Sequence, residues 1–322
     1  MKKYLDIKNP FLAVSILLLL IITYIAVSAF NQNATTESDL ATKTPGKEFK
    51  EDYNVFSLDL PDDPTFAGEP IPVEDADVYE RLDRELLVNT YWQSNGILLI
   101  KRAKKYFPII EPILREEGVP DDLKYLALAE SGLQNVTSPA GAKGFWQIMR
   151  ATGKDYGLEI NGNVDERFHI EKATRFACEY LKSAKEKFGS WALAAASYNA
   201  GRSYILRELD RQEANGYYDL LLGEETSRYL LRLAAMKFIL QKPEKYGFRI
   251  DTEHLYKALN YKIVEVDTAI SDLARFARNY DMSYKNLKIF NPWLREKQLV
   301  NRSGKKYKIK ILTGNDYKVL SE

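Results

Sequence analysis

Cysteine and histidine are almost absent from this chain of 322 residues, which has one cysteine, Cys178, and two histidines, His169 and His254. A single cysteine excludes an intramolecular disulfide and a cysteine-based zinc site. Two histidines exclude a histidine-rich metal site. We therefore predict that the protein uses no metal and no cofactor, and we interpret Cys178 as a small buried hydrophobic residue.

The chain also lacks an excess of charge of either sign. It has 46 Lys and Arg against 45 Asp and Glu, and no long basic block, so a nucleic acid is not a predicted partner. Its 21 tyrosines are compatible with a site that stacks on sugars and hydrogen-bonds to them, but they can equally lie in a core. The length allows one large domain or two to three small ones.

An uncharged, mostly apolar run covers residues 11–30, close to the N-terminus. It is about long enough to cross a bilayer, and the lysines that precede it indicate a cytoplasmic N-terminus. We interpret residues 1–30 as a signal anchor or a signal peptide, and we favour a retained anchor over cleavage near Ala29. The rest of the chain is then exported, which predicts a location in the cell envelope, on the periplasmic side of a membrane.

Composition divides the remainder of the chain into further segments. Residues 31–73 are polar and then proline-rich, which predicts a flexible linker and an extended segment over a domain surface. Helical periodicity predicts a helical N-terminal extension at 74–118, with a break at Asn95-Gly96 and a kink or split at Pro108. A compact all-helical domain is predicted at 119–247. Two alternating strands around two short helices predict a separate βααβ domain at 258–314.

One acid, Glu130, lies on an apolar face of a predicted helix. Leu123, Leu126 and Ala127 precede it by seven, four and three positions, so the four side chains share one face. A glutamate in that position is either a paired structural acid or a catalytic acid kept protonated by apolar surroundings. The helix alone does not decide between these interpretations.

Three more motifs follow Glu130-Ser131 along the chain. The first is a glycine-rich loop, the second ends an alanine-rich helix, and the third begins the last long helix; they are Gly141-x-x-Gly144-x-Trp146-Gln147, Ala196 to Gly201 with Tyr198-Asn199, and Glu225-Thr226-x-x-Tyr229. Taken singly, Trp146 can be a core residue, and Tyr198-Asn199 can be an ordinary helix end. In this order and spacing, the four motifs resemble the catalytic domain of the soluble-lytic-transglycosylase family, which has a lysozyme-like fold. The resemblance is strongest to the membrane-bound lytic transglycosylase D branch.

This resemblance implies an enzyme that cleaves the MurNAc–GlcNAc bond of peptidoglycan strands, and it implies a role for each matching residue. Glu130 is the implied catalytic acid, which later acts as a base. The implied substrate-binding residues are Ser131, Ser138, Gln147, Tyr198, Asn199, Glu225 and Tyr229.

In the family's reaction the sugar's own C6 hydroxyl attacks C1, which leaves a 1,6-anhydro-muramyl end and consumes no water. A second catalytic carboxylate is then not needed, and Asp155 and Asp165 are interpreted as loop or helix-start residues. A hydrolytic muramidase and a non-catalytic peptidoglycan-binding protein remain alternatives.

The C-terminal strands and helices resemble a divergent LysM module, a βααβ fold that binds N-acetylglucosamine chains. Asp267-Thr268, Leu273-Ala274 with Ala277, and Asn291-Pro292 carry this resemblance. Val266 stands where the family usually has glycine, and the usual Pro-Gly before the last strand is missing. Glycan binding and a purely structural role therefore both remain open for this unit.

Overall fold

The computed structural model describes residues 55–313, and residues 58–313 form one compact unit. Two hydrophobic clusters divide it into a helical body (residues 58–248) and a C-terminal βααβ unit (residues 261–312). Between residues 55 and 313 no helix combines the length and the apolar character that a membrane span requires. The predicted anchor, residues 1–30, and most of the predicted linker lie outside the described residues.

The helical body contains eight helices within the described part of the chain. In order they are α1 (Ala76–Tyr91), α2 (Gln93–Glu116), α3 (Lys124–Ser131), α4 (Arg150–Asp155), α5 (Ile170–Phe188), α6 (Trp191–Ala200), α7 (Arg202–Gln212) and α8 (Glu224–Gln241). The predicted mainly α fold class is therefore confirmed. The sequence pattern did not indicate α4 or α7, because α4 buries only Gly153 and α7 buries only Ile205.

The segment before α1 is part of the core, whereas we predicted an extended chain over the surface. The short strands β1 (Thr65–Phe66) and β2 (Glu69–Pro70) pair antiparallel, and Phe66 and Ile71 are buried. The carboxylate of Asp122 accepts hydrogen bonds from the Ala67 backbone N and from Lys237 Nζ, both at 2.8 Å. These contacts fix the segment against the short stretch of chain that leads into α3.

The first two helices belong to the same core as the later ones, which extends from Phe66 to Phe248. The predicted break at Asn95-Gly96 is wrong, because α1 ends at Tyr91 and Gly96 lies inside α2. The glycine is needed there for packing, since a Cβ would come within 2.5 Å of the Phe248 ring. Pro108 does not split α2, which is a single helix stabilised by its buried apolar face.

The βααβ unit has the predicted order of elements. It consists of β3 (Tyr261–Val266), α9 (Leu273–Arg278), α10 (Tyr284–Phe290) and β4 (Tyr307–Leu312). The strands are antiparallel, with Tyr261 opposite Leu312 and Val266 opposite Tyr307. Alternate residues of β4 point inward, so that Tyr307, Ile309 and Ile311 are buried.

Contrary to the prediction of a separate domain, this unit packs against the helical body, because two residues of the body complete its hydrophobic cluster. Val164 and Phe168, which precede α5, lie in the hydrophobic cluster of the βααβ unit. Val164 pairs with Leu294 as an isolated bridge, and the Asp165 backbone N donates to the Trp293 carbonyl at 3.0 Å. The hydrophobic cluster of the βααβ unit therefore includes residues from both sides of the predicted boundary near residue 258.

Candidate active site

Glu130 lies in the last turn of α3 and remains partly exposed, while the residues on its face are buried. Leu123, Leu126 and Ala127 are all inaccessible to solvent. The single-turn helix at Asp121–Leu123 leads into α3, and Gly132 ends it in the left-handed conformation, with φ of 57°. The helix thus presents one carboxylate at the edge of an apolar wall.

The nearest partner of this carboxylate is a tyrosine of α8. The hydroxyl of Tyr229 donates to Glu130 Oε1 at 2.6 Å, and the tyrosine itself is buried. The pKa of Glu130 is raised above its ordinary value, chiefly because burial disfavours the charged form, and the charge of Glu225 adds to this. The Tyr229 hydrogen bond and the charge of Arg232 act in the opposite direction but do not outweigh burial. A raised pKa is what a general acid needs to stay protonated near neutral pH.

The glycine-rich loop is approached closely by the protein's own backbone. The loop folds back on itself through bridges from Lys143 to Thr137 and to Ile148. Gly144 has φ of 78°, and a Cβ there would lie 2.0 Å from the carbonyl oxygen of Arg167. Since no other residue fits this position, the glycine is explained by packing.

A buried ion pair holds the same loop. Arg167 contacts Asp165 through Nε to Oδ1 at 2.9 Å and Nη2 to Oδ2 at 2.8 Å. Its Nη1 also donates to the carbonyl oxygens of Gly141 at 3.3 Å and Ile148 at 3.2 Å. Asp165 begins the single-turn helix at Glu166–Phe168, in agreement with its interpretation as a helix-start residue. The sequence offered no signal for the role of Arg167.

Three predicted binding residues lie in or beside this loop. Ser131 is buried, and its hydroxyl lies 2.9 Å from the Phe145 carbonyl and 3.0 Å from the Ala127 carbonyl. The hydroxyl of Ser138 accepts from the Ala142 backbone N at 3.0 Å, and Gln147 Nε2 donates to the Gly144 carbonyl at 2.8 Å. Ser131 therefore links α3 to the loop, while Ser138 and Gln147, both partly exposed, shape its outer side.

The end of α6 connects the loop with α8. The hydroxyl of Tyr198 donates to the Trp146 carbonyl at 2.6 Å, and Asn199 Oδ1 accepts from Thr226 Oγ1 at 2.9 Å. Trp146 itself is a core residue, since it is fully buried and its Nε1 donates to Thr174 Oγ1 at 3.0 Å. The motifs that follow one another in the sequence are thus joined by direct hydrogen bonds.

Glu225 lies in the first turn of α8, with a side chain that is 62% exposed. Arg232 donates to both of its carboxylate oxygens, from Nη1 at 3.1 Å and from Nη2 at 3.3 Å. Arg232 was not among the predicted site residues. It follows Glu225 by seven positions and Tyr229 by three, and this shared helix face is the signal that could have found it.

His169 occupies the N-cap position of α5, and its side chain faces the βααβ unit instead of capping the helix. Its ring lies 5.7 Å from the ring of Trp293, and its Nδ1 lies 3.1 Å from Glu171 Oε2. Within residues 55–313, Asp251, Glu253 and His254 are close enough together to hold a cation, but all three are exposed. Exposed acidic groups of this kind are common without a metal, so no metal site is assigned.

Two solved structures are similar to part of the chain. One is lytic transglycosylase Slt from Pseudomonas aeruginosa, an inactive mutant, with 18% identity, a TM-score of 0.37, and coverage of 48% of this chain and 26% of that chain. The other is the 70 kDa soluble lytic transglycosylase of Escherichia coli, with 21% identity, a TM-score of 0.37, and coverage of 47% and 27%.

Curated relatives match a larger part of the sequence. Membrane-bound lytic murein transglycosylase D of Escherichia coli (strain K12) is 30% identical over 212 residues, or 64% of this chain and 46% of the relative. The chain thus spans about half the length of that relative. A protein of Alteromonas sp. (strain M-1) named for tributyltin chloride resistance is 26% identical over 148 residues, 44% of this chain and 72% of the relative.

Family matches cover both parts of the described structure. Residues 107–221 match the family described as the transglycosylase SLT domain. Residues 262–315 match the soluble lytic transglycosylase C-terminal LysM-like domain. Two stretches of the chain are therefore similar, in this order, to the transglycosylase SLT domain and to the LysM-like domain of soluble lytic transglycosylases.

Proposed function

We propose that this protein is a lytic transglycosylase that cleaves the MurNAc–GlcNAc bond of peptidoglycan strands and forms 1,6-anhydro-muramyl ends. The observation that carries the proposal is the carboxyl of Glu130, which lies at the edge of an apolar wall, 2.6 Å from the Tyr229 hydroxyl and inside an SLT domain. The predicted N-terminal anchor would hold the enzyme to a membrane with its bulk on the periplasmic side.

Glu130 is the proposed acid in the first step. Its raised pKa favours the protonated carboxyl, which can give a proton to the glycosidic oxygen as that bond breaks. The N-acetyl carbonyl of the muramic acid would stabilise the cation that develops at C1. The Tyr229 hydroxyl would then stabilise the carboxylate that remains, because a hydrogen bond to the charged form favours it.

The same glutamate is the proposed base in the second step. It would take the proton of the C6 hydroxyl while that oxygen attacks C1 of the same sugar, so the proton given in the first step is replaced. Attack within one sugar needs no activated water and benefits from high effective molarity. Among the described residues, the only other carboxylate whose charge raises the pKa of Glu130 is Glu225, and it is paired with Arg232.

Asp155 and Asp165, two acids that lie between the motifs, are poor candidates for a second catalytic carboxylate. Asp165 is buried in its ion pair with Arg167, and Asp155 is exposed at the end of α4. Retaining and inverting glycosidases both use a second carboxylate close to the first. A reaction with a single carboxyl group therefore agrees best with the arrangement around Glu130.

The predicted binding residues divide into two groups on their contacts. Ser138, Gln147, Asn199 and Glu225 are partly or largely exposed and are the proposed contacts to the sugars. Ser131 and Tyr198 place their hydroxyls on backbone carbonyls of the loop, at Phe145 and Trp146, so we propose that they position the loop for substrate. Tyr229 acts on Glu130 directly.

The mass of the products tests this function. The purified full chain in detergent is incubated with peptidoglycan, and the released muropeptides are weighed. Anhydro products are expected from the native protein, and none from Glu130→Gln. Glu224→Gln is a matched control, because Glu224 neighbours Glu225 on α8 but forms its ion pair with Arg228, at 3.2 Å.

Each alternative predicts a different result in the same experiment. Products heavier by one water would identify a hydrolytic muramidase. Binding of the protein to peptidoglycan without any release of fragments would identify a non-catalytic binding protein.

A further inference from the structure

Arg232 connects the catalytic region to the first helix of the body. We propose that Arg232 is a positioning residue, held by Glu85 of α1, that fixes Glu225 beside Glu130 and thereby sets the balance of charge at the catalytic acid. This inference rests on the proposed role of Glu130. It gives α1, which lies before the region that matches the SLT domain, a part in the chemistry.

The geometry of Arg232 shows two carboxylates on one guanidinium. Its Nη1 and Nη2 reach Glu225 at 3.1 and 3.3 Å, and its Nε lies 3.6 Å from Glu85 Oε2. The planar guanidinium therefore has a different acid on each of two edges. Such a fork fixes orientation in a way that a point charge cannot, which is why arginine suits this place.

Glu85 is a rigidly held partner for Arg232. Its side chain is 1% exposed, and its Oε1 accepts from Arg228 Nε at 2.6 Å and from Arg84 Nη1 at 2.7 Å. A carboxylate without such partners would be costly to bury. Because Oε1 is occupied by these two arginines, Oε2 is the oxygen that faces Arg232.

Arg232 and Glu225 act on Glu130 because α8 presents both of them, together with Tyr229, toward its carboxyl. Glu225, Tyr229 and Arg232 are separated by four and three positions and so share one face of the helix. The charge of Glu225 raises the pKa of Glu130 and that of Arg232 lowers it. While the two stay paired, their effects oppose each other and burial keeps the dominant influence.

Groups on the other neighbouring elements complete the surroundings of Glu130. From α6, Tyr198 interacts electrostatically with Glu130, although its hydroxyl is bonded to the Trp146 carbonyl. From α2, Arg102 donates to the Gly132 carbonyl at 3.3 Å. On α3 itself, Lys124 lies at the opposite end, paired with Glu111 at 2.7 Å.

An NMR titration of the Glu130 carboxyl carbon in the full chain tests the inference without reference to activity. Arg232→Gln should raise the pKa of Glu130, because it removes a cation and leaves Glu225 unpaired. Glu225→Gln should lower it, because Arg232 then acts alone. The matched control, Glu224→Gln, should leave it unchanged, although it alters the same helical turn.

The role of Glu85 is tested by variants that keep the charges. Glu85→Asp shortens this side chain, draws Arg232 away from Glu225 and should move the pKa of Glu130 in the same direction as Arg232→Gln. Arg232→Lys keeps the cation but loses the two-oxygen contact, so it should give a smaller upward shift. It also keeps the test available if Arg232→Gln does not fold.

The results separate this inference from the proposed function. Unchanged pKa values, or shifts of the same sign in Arg232→Gln and Glu225→Gln, would overturn the inference even if the protein cuts peptidoglycan. If the pKa of Glu130 shifts in opposite directions in Arg232→Gln and Glu225→Gln but the protein releases no fragments, the positioning role of Arg232 is supported and the proposed function is overturned. In an active enzyme, the alkaline limb of the kcat/KM profile should follow the measured pKa in each variant.

Discussion

Two glutamates in this protein show that burial alone does not set the protonation of an acid. Burial is the largest influence on both Glu130 and Glu171, and in both it raises the pKa. At Glu171, the cation of Lys310 at 2.5 Å and the imidazole of His169 at 3.1 Å overcome it and lower the pKa to about 2. At Glu130, the closest partner is a neutral hydroxyl, and the pKa stays raised.

The difference reflects where the two acids lie. Glu171 belongs to the seam between the helical body and the βααβ unit, where acids of the body meet cations of the unit. Glu159 pairs there with Lys305 at 2.5 Å and accepts from the Tyr307 hydroxyl at 3.0 Å. Acids paired with cations hold elements together, whereas an acid left beside a hydroxyl can exchange its proton.

The largest expected effect is on activity, from Glu130→Gln. The amide cannot transfer the proton, so the rate of fragment release should fall by roughly 10²–10⁴-fold, the usual contribution of a general acid or base. Stability should change in the opposite direction. Because the folded pKa of Glu130 is raised, ionisation costs stability as the pH rises through it, and the amide removes that cost near neutral pH.

Chemical denaturation of Glu130→Gln and the native protein at one neutral pH measures this gain. A lower free energy of unfolding in the variant would show that Glu130 is a stabilising, paired acid like Glu171.

The next effect is on stability, from Glu171→Gln. This change removes the carboxylate between Lys310 and His169 and should lower the free energy of unfolding by about 1–3 kcal/mol, the usual cost of leaving a buried polar group without its partner. Fragment release per folded molecule should stay near the native value, because Glu171 is not part of the proposed site. A large loss of activity in the folded variant would mean that the seam and the site are coupled.

The pH dependence of the free energy of unfolding should reveal the contribution of Glu171. The folded pKa of Glu171, about 2, lies below its ordinary value of 4.5, so its contribution is complete above that ordinary value. It should be lost as the pH falls from about 4.5 toward 2. Acid titrations of the unfolding free energy should therefore be steeper for the native protein than for Glu171→Gln. Parallel curves would contradict the assignment.

The smallest expected effect comes from Tyr229→Phe, which makes the surroundings of Glu130 still less polar. Loss of the hydrogen bond should raise the pKa of Glu130 further, since that bond lowers it now. A hydrogen bond worth about 0.5–1.5 kcal/mol corresponds to a few-fold to roughly tenfold lower rate. A pH–rate profile measures both, and an alkaline limb that moves downward would be inconsistent with this geometry.

Patterns within one helix predicted a large part of this structure. The apolar stripe before Glu130 placed the acid on its helix, and the alternation in residues 261–266 and 307–311 indicated both strands of the βααβ unit. Motif order identified Tyr229, whose hydroxyl contacts the acid. Helical spacing could also have identified Arg232, which lies three positions beyond Tyr229.

Contacts between distant parts of the chain could not be predicted in this way. Nothing near Glu85 indicates that Arg228 and Arg232, more than a hundred residues later, neutralise it. The burial of Phe66 depends on helices that follow it, so the proline-rich segment was predicted to lie on the surface. The seam was missed for the same reason, because Val164 and Phe168 are ordinary apolar residues until the βααβ unit covers them.

The seam also has a consequence for the order of folding. Glu159 and Tyr307 are separated by 148 positions, and Asn163 and Val300 by 137. Native contacts over such distances close slowly and only after the later segment exists. Asp165 and Arg167, which hold the glycine-rich loop, lie between these early residues and Phe168. We therefore expect the backbone hydrogen bond from Asp165 to Trp293 to form only after the chain has been made as far as Trp293, later than the contacts of Arg167 with Gly141 and Ile148 of the loop.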